Sequence, residues 1–303
     1  MKTIGIIFMI ITLVITISCG NPSSPNNLYD PDNPGDPGET IENGIYIGST
    51  LYNNLVAAIN ASEGTEATII IHSNFDRGLQ LDPLFPQMSF AKFPDNTHIT
   101  IEGKGAGKTQ IHCTLYYNSP VHPYFKITAN SSLTLKNIQL NGRSRSTILI
   151  AGGSFTMLDG VIIRGTEIDG GGGGGVYMES GTFTMKGGSI SNNTVTATAG
   201  LLRTGQGGGV LMEGGTFIME GGEITGNTAT YIGGLYIRGG DFIMKGGMIH
   251  SNTSTDPGSS GHNLGLYIYN GVPQGTAVYG DIGSTPILPV GSSGTSDSIT
   301  GKN

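Results

Sequence analysis

Apolar and polar residues alternate in short runs between residues 148 and 254, and the runs recur. Three copies read GVYMESGTFTMKGGSISNN, GVLMEGGTFIMEGGEITGN and GLYIRGGDFIMKGGMIHSN, and a degenerate copy, ILIAGGSFTMLDGVIIRG, starts at Ile148. Anchored on Phe155, Phe183, Phe217 and Phe242, the copies lie 28, 34 and 25 residues apart. Alternation of period two predicts half-buried strands rather than helices. The Gly-Gly pairs between runs can turn the chain at positive φ without a Cβ clash. Each copy therefore predicts one coil of three strands: one around Val176 and Met178, one around Phe183 and Met185, one at Ile190. A lone coil cannot bury its inward side chains, so it must stack on the next through parallel backbone hydrogen bonds, roughly 4.8 Å per rung.

Stacking turns repeated positions into columns. The expected inward columns are Phe155, Phe183, Phe217 and Phe242; Met157, Met185, Met219 and Met244; and Ile162, Ile190, Ile224 and Ile249. Three residues after each Phe stand Leu158, Lys186, Glu220 and Lys245, the last three alternating in sign so that neighbouring rungs can pair. Ten residues after the last three Phe residues stand Asn193, Asn227 and Asn252, a column expected to form a structural ladder at a turn where Asn tolerates left-handed geometry. The predicted architecture is all-β, a right-handed parallel β-helix with coils of roughly 22 to 34 residues.

The flanks carry different patterns. Residues 1–18 hold one Lys, an apolar run and a small residue, which predicts a secretory signal peptide. Thr16, Ile17, Ser18 and Cys19 resemble a bacterial lipobox, which implies that Cys19 is lipidated and becomes the mature N-terminus. Residues 19–43, rich in Pro, Asn, Asp, Gly and Ser, are expected to be a disordered tether with a reach of about 25–30 Å. The folded domain is placed at residues 44–282, opening with a capping helix begun by Ser49 or Thr50 and facing inward with Leu51, Leu55, Ala58 and Ile59. Residues 75–94 are expected to be a long loop, the Phe ladder to stop at Pro273, and residues 283–303 to be a flexible tail. Cys113, in an alternating run, is expected to pack as a small side chain.

The order of a capping helix, TIIIH, THITIEGKG, YFKI and LTLKNIQL resembles the N-terminal coils of the pectate lyase-like β-helix superfamily over about residues 45–282. The element GG-x-I-x-x-N, at residues 187–193, 221–227 and 246–252, is similar to repeats of chlamydial polymorphic outer-membrane proteins and related bacterial surface proteins. The first resemblance implies fold; the second implies display and adhesion.

Composition narrows the chemistry. Glycine is 51 of 303 residues and charged residues are 12%, against averages near 7% and 25%, as expected where turns are many and stacked charges repel. The net charge of −7, without a Lys/Arg patch, excludes a nucleic-acid footprint. The GKT at Gly107, Lys108 and Thr109 lacks the first Gly of a phosphate loop and runs into a strand pattern, which excludes nucleotide binding. The glycine run at residues 170–175 is expected to be a flexible loop. Four residues before the Phe column stand Ala151, Glu179, Glu213 and Arg238, so Glu179 and Glu213 are expected one rung apart with Arg238 beyond. Such a pair can share a proton, bind Ca2+ or meet a sugar hydroxyl. The Asp-Asp pairs, Gly-His-Gly and Arg-x-Lys elements of polygalacturonase-like enzymes are absent, and His262 matches none of them.

The two longer repeat intervals put their extra residues on one edge, with Leu201, Leu202, Arg203 and Gln206 as candidate protein contacts. The leading expectation is a lipid-anchored, surface-exposed bacterial binding scaffold or adhesin. It would use no catalysis, cofactor or metal, and its partners would be the membrane, through the lipid, and a protein or glycan. The alternatives are a lyase or hydrolase of an acidic glycan using Glu179 and Glu213, and a purely structural surface spacer.

Overall fold

Phe155, Phe183, Phe217 and Phe242 stack one per coil through the centre of the protein, fully buried, with ring centroids 5.1, 4.4 and 5.1 Å apart. The computed structural model describes residues 44–72, 91–104, 109–112, 123–142, 146–198, 204–255, 266–268, 278–279 and 298–300, all within the unit Glu42–Asn303. The chain is an all-β right-handed parallel β-helix. Among the described residues, three sheets of 15, 7 and 4 strands run along the stack.

The long sheet is bent, and its bend corrects the expected division of each coil. The sequence predicts Val176 to Met178 and Phe183 to Met185 as separate strands, but they belong to one strand, Val176–Met185, just as Ile148–Met157 is one strand a rung earlier. Gly181, like Gly152 one rung earlier, folds the strand into two legs. Gly181, Gly215 and Gly240 hold φ of 95, 87 and 87° at that bend, a conformation that costs other residues dearly. The second sheet contains Ser189–Ser191, Glu223–Thr225 and Met248–His250. The third is formed by Glu167–Asp169, Thr194–Thr196, Thr228–Ala229 and Thr253–Ser254, which lie in the stretch expected to be turn and insertion. It covers a small core of its own, Ile168, Val195 and Ala229.

Register follows the predicted columns with one shift. Phe155, Phe183, Phe217 and Phe242 pair across rungs, as do Met157, Met185, Met219 and Met244, with Leu133 and Leu135 in the same columns one rung before. The isoleucine column is Ile163, Ile190, Ile224 and Ile249; Ile162 sits opposite Ser189 and points outward. The column also continues past the predicted stop, because Val278 pairs with Phe242 on the next rung. Ser298–Thr300, in the expected tail, pairs antiparallel with Met248–His250.

The asparagine ladder holds the corner between the second and third sheets. Asn193 Nδ2 donates to Asn227 Oδ1 at 2.9 Å, and Asn227 Nδ2 to Asn252 Oδ1 at 3.0 Å. The same oxygens accept from the backbone N–H groups of Asn193 and Asn227. The left-handed residue is not the ladder Asn but its predecessor: Asn192, Gly226 and Ser251, with φ of 54, 65 and 54°.

At the N-terminal end the cap differs from the expected one. Gly44–Ile47 and Thr50–Tyr52 form an antiparallel hairpin, and the helix is Leu55–Ala61, capped by Asn54, whose Oδ1 accepts from Ala57 N at 2.8 Å. Leu55, Ala58 and Ile59 join the main core as predicted, whereas Leu51 lies in the hairpin, exposed. Ala91–Lys92 pairs with Phe125–Lys126, and Phe93, at the end of the expected loop, is fully buried. No helix among the described residues is long and apolar enough to cross a membrane. The signal peptide, Cys19, the tether and Cys113 lie outside the described residues.

Candidate binding surface

The first leg of the long sheet positions the candidate surface. Val176, Val210 and Leu235 turn into the core, as do Met178, Met212 and Ile237. Alternation sends the residue between each pair outward: Tyr177, Leu211 and Tyr236. Yet Leu211 and Tyr236 are only 4% and 5% exposed, because the turns entering this leg fold back over them and Ile232 packs alongside. Tyr177 is half-buried at the border of this outer cluster.

The turns can come so close because they are glycine. Residues 172–175 are buried, and the N–H groups of Gly173, Gly174 and Gly175 bond forward to carbonyls of the next rung, as Gly175 N does to Gly209 O at 2.9 Å. A Cβ on Gly174 would lie 2.5 Å from Gly208 O. The run expected to be a flexible loop is a packed rung.

One outward step beyond the cluster come Glu179, Glu213 and Arg238, on successive rungs as the count from the Phe column predicts; Glu213 N bonds Met178 O and Arg238 N bonds Met212 O. Arg238 joins two groups of candidates that the sequence kept apart. Its Nη1 pairs with Glu213 Oε1 and its Nη2 donates to Gln206 Oε1, while its guanidinium lies 5.6 Å from the centre of the Tyr236 ring. Gln206 was expected on an exposed edge but is buried, bridging Gly172 and Ile232 through its backbone. Glu179 remains exposed outside that network. The Tyr177 phenol is pushed above its ordinary range, first by burial and then by the charges of Glu213 and Glu179, with Arg238 opposing. At neutral pH it is therefore a hydrogen-bond donor.

The insertion beside this surface is tied at its base. Thr198 N donates to Thr204 Oγ1 at 3.1 Å, Ala197 N to Thr230 Oγ1 at 2.7 Å, and Gly205 N to Gly171 O at 2.8 Å. Leu201, Leu202, Arg203 and His262 lie outside the described residues. No group of three or more His, Cys, Asp or Glu side chains converges among the described residues. Sequence reasoning missed Tyr177, Leu211, Ile232 and Tyr236. The signal for three of them was present: apolar residues at the outward position of GVYM, GVLM and GLYI.

Residues 125–279, just over half of the chain, match the family described as right handed beta helix region, and the chain belongs to that family. No curated protein and no solved structure showed a match to it.

Proposed function

We propose that the protein is a lipid-anchored, surface-displayed β-helix that works as a non-catalytic binding scaffold or adhesin. The observation that carries this reading is the commitment of Arg238 to both Glu213 and Gln206. One acid of the expected catalytic pair is thereby neutralised, and the same contact fixes the root of the insertion beside the Tyr177 cluster. A rigid surface with an insertion held at its edge suits recognition, since ordering costs are met before the partner arrives. Cys19 supplies the lipid anchor, and Leu201, Leu202 and Arg203 supply contacts to a protein or glycan partner.

The test compares binding and turnover on the same samples. Full-length protein on cells should adhere to host or envelope surfaces, and excision of residues 199–203 should weaken adhesion while leaving the folded coils intact. Adhesion to every surface unaltered by the excision would rule out the insertion as the contact. Release of products from acidic polysaccharides, with or without Ca2+, that Glu213→Gln abolishes would replace the scaffold reading with the enzymatic one. Cys19→Ser should move the protein from the membrane to the soluble fraction.

A further inference from the structure

The outward side of the second leg of the long sheet is a grid of hydroxyl groups. Ser132 and Thr134, Ser154 and Thr156, and Thr182 and Thr184 flank Leu133, Phe155 and Phe183 on successive rungs, followed by Thr216 and Ile218 around Phe217. One column continues back through Thr100 to Thr68 and forward to Ile243. Backbone geometry spaces the positions about 4.8 Å between rungs and roughly 6.6 Å along each strand.

These hydroxyls differ from those of the third sheet, which turn back on the protein. There Thr196 Oγ1 donates to Ile168 O at 3.2 Å, Ser254 Oγ to Thr230 O at 2.8 Å, and Thr230 Oγ1 accepts from Ala197 N. Among the described residues, Thr134, Ser154, Thr156, Thr182, Thr184 and Thr216 make no side-chain hydrogen bond, so their capacity is directed at solvent. The Thr side chains are stiff at χ1 and stand over the stacked Phe rings.

Charge and shape select the occupant. From Ser132 to Thr216 the two columns hold no ionic residue. Ionic and titratable side chains stand only at the ends of the Ser/Thr column, His98 and Glu66 before Ser132 and Asp241 after Thr216, and in the bordering column, where Glu102 pairs with Lys136 at 3.2 Å and Glu220 with Lys245 at 3.0 Å. In these two columns, from Ser132 to Thr216, no position is Phe, Tyr or Trp, so a sugar ring would find no flat apolar platform there. What remains is a fixed array of hydroxyls separated by methyl groups. Hydroxyls can take positions in a water lattice while methyls fill the gaps without competing for its hydrogen bonds. We propose that this face binds ice, its two repeats ordering the first water layer near the lattice spacing of the crystal. This site is distinct from the Tyr177 surface and does not rest on it.

The experiment partitions the purified full chain between slowly grown ice and liquid, and follows grain growth in a polycrystalline ice film. The wild type should enter the ice fraction and slow grain growth. Thr156→Lys and Thr184→Lys, each placing a charge in the middle of the grid, should return both readings to background, while Thr225→Lys on the second sheet should not. Circular dichroism establishes that each variant is folded, and Thr182→Lys substitutes for any that is not. A folded wild type at background, or Lys variants that behave as wild type, would overturn the proposal. Retention on insoluble cellulose lost in the same Lys variants, with ice partition at background, would also overturn it and assign the face to a neutral glycan.

Discussion

At the scale of single residues, the ladder Asn residues carry a burden that only burial creates. Asn227 is fully buried and uses both ends of its amide: its Oδ1 accepts from Asn193, and its Nδ2 donates to Ile190 O and Asn252. Asn227→Ala should cost on the order of 3 kcal/mol, because it strands buried donors of Asn193 and the Ile190 carbonyl on the rung before and takes a donor from Asn252 Oδ1 on the rung after; urea unfolding of the variant measures it. Glu102 shows the electrostatic counterpart. Its carboxyl is held below the usual range, first by the hydrogen bond from Lys104 at 2.8 Å and further by Lys136, against an opposing effect of burial. A depressed carboxyl contributes stability above its unfolded pKa and loses it as pH falls through the folded value. Glu102→Gln should therefore lower the thermal midpoint at neutral pH, and the difference should vanish in acid. A difference independent of pH would assign the loss to packing instead.

At the scale of elements, two devices make one coil fit the next. The Phe column supplies both area and ring contact, so Phe217→Ala, which removes the ring stacked on Phe183 and tilted against Phe242, should cost about 4 kcal/mol in denaturant unfolding. The glycine rung works by absence of a side chain. Gly174→Ala would press a methyl against Gly208 O and the Asn193 and Val195 side chains, and overpacking of that kind costs about 2 kcal/mol. An unfolding midpoint equal to wild type would show that the rung is softer than its contacts imply. The Asn54 cap and hairpin seal the other end, where Leu55, Ala58 and Ile59 close the core.

At the scale of the whole molecule, the solenoid presents different chemistry on different sides while repeating one backbone plan. The first leg carries the Tyr177 cluster and the Arg238 network, and the second leg carries the hydroxyl grid. Arg238→Ala should loosen the root of the insertion by removing the partner of Gln206 and leave Glu213 without its cation. Amide exchange should then quicken around residues 204–209 and 230–233, with the Phe-column strands unchanged. Quickened exchange throughout the coils would show that Arg238 supports the stack rather than the insertion.

What the sequence determined by itself is whatever repeats: the coil, the inward Phe and Met columns, the Asn ladder and the order of Glu179, Glu213 and Arg238. A repeat announces itself because each coil must bury the same face on its neighbour, so identical positions meet identical demands. The tertiary structure alone decided three things. It joined the two predicted strands across the Gly bend into one sheet, since a bend and a break share the same glycine signal. It shifted the isoleucine column from Ile162 to Ile163, because two adjacent isoleucines fit a period of two equally well. And it brought Gln206 to Arg238 across 32 residues, turning a presumed edge residue into the buried partner of a charge. Contacts of that kind depend on how turns fold over neighbouring rungs, which no local alternation of apolar and polar residues encodes.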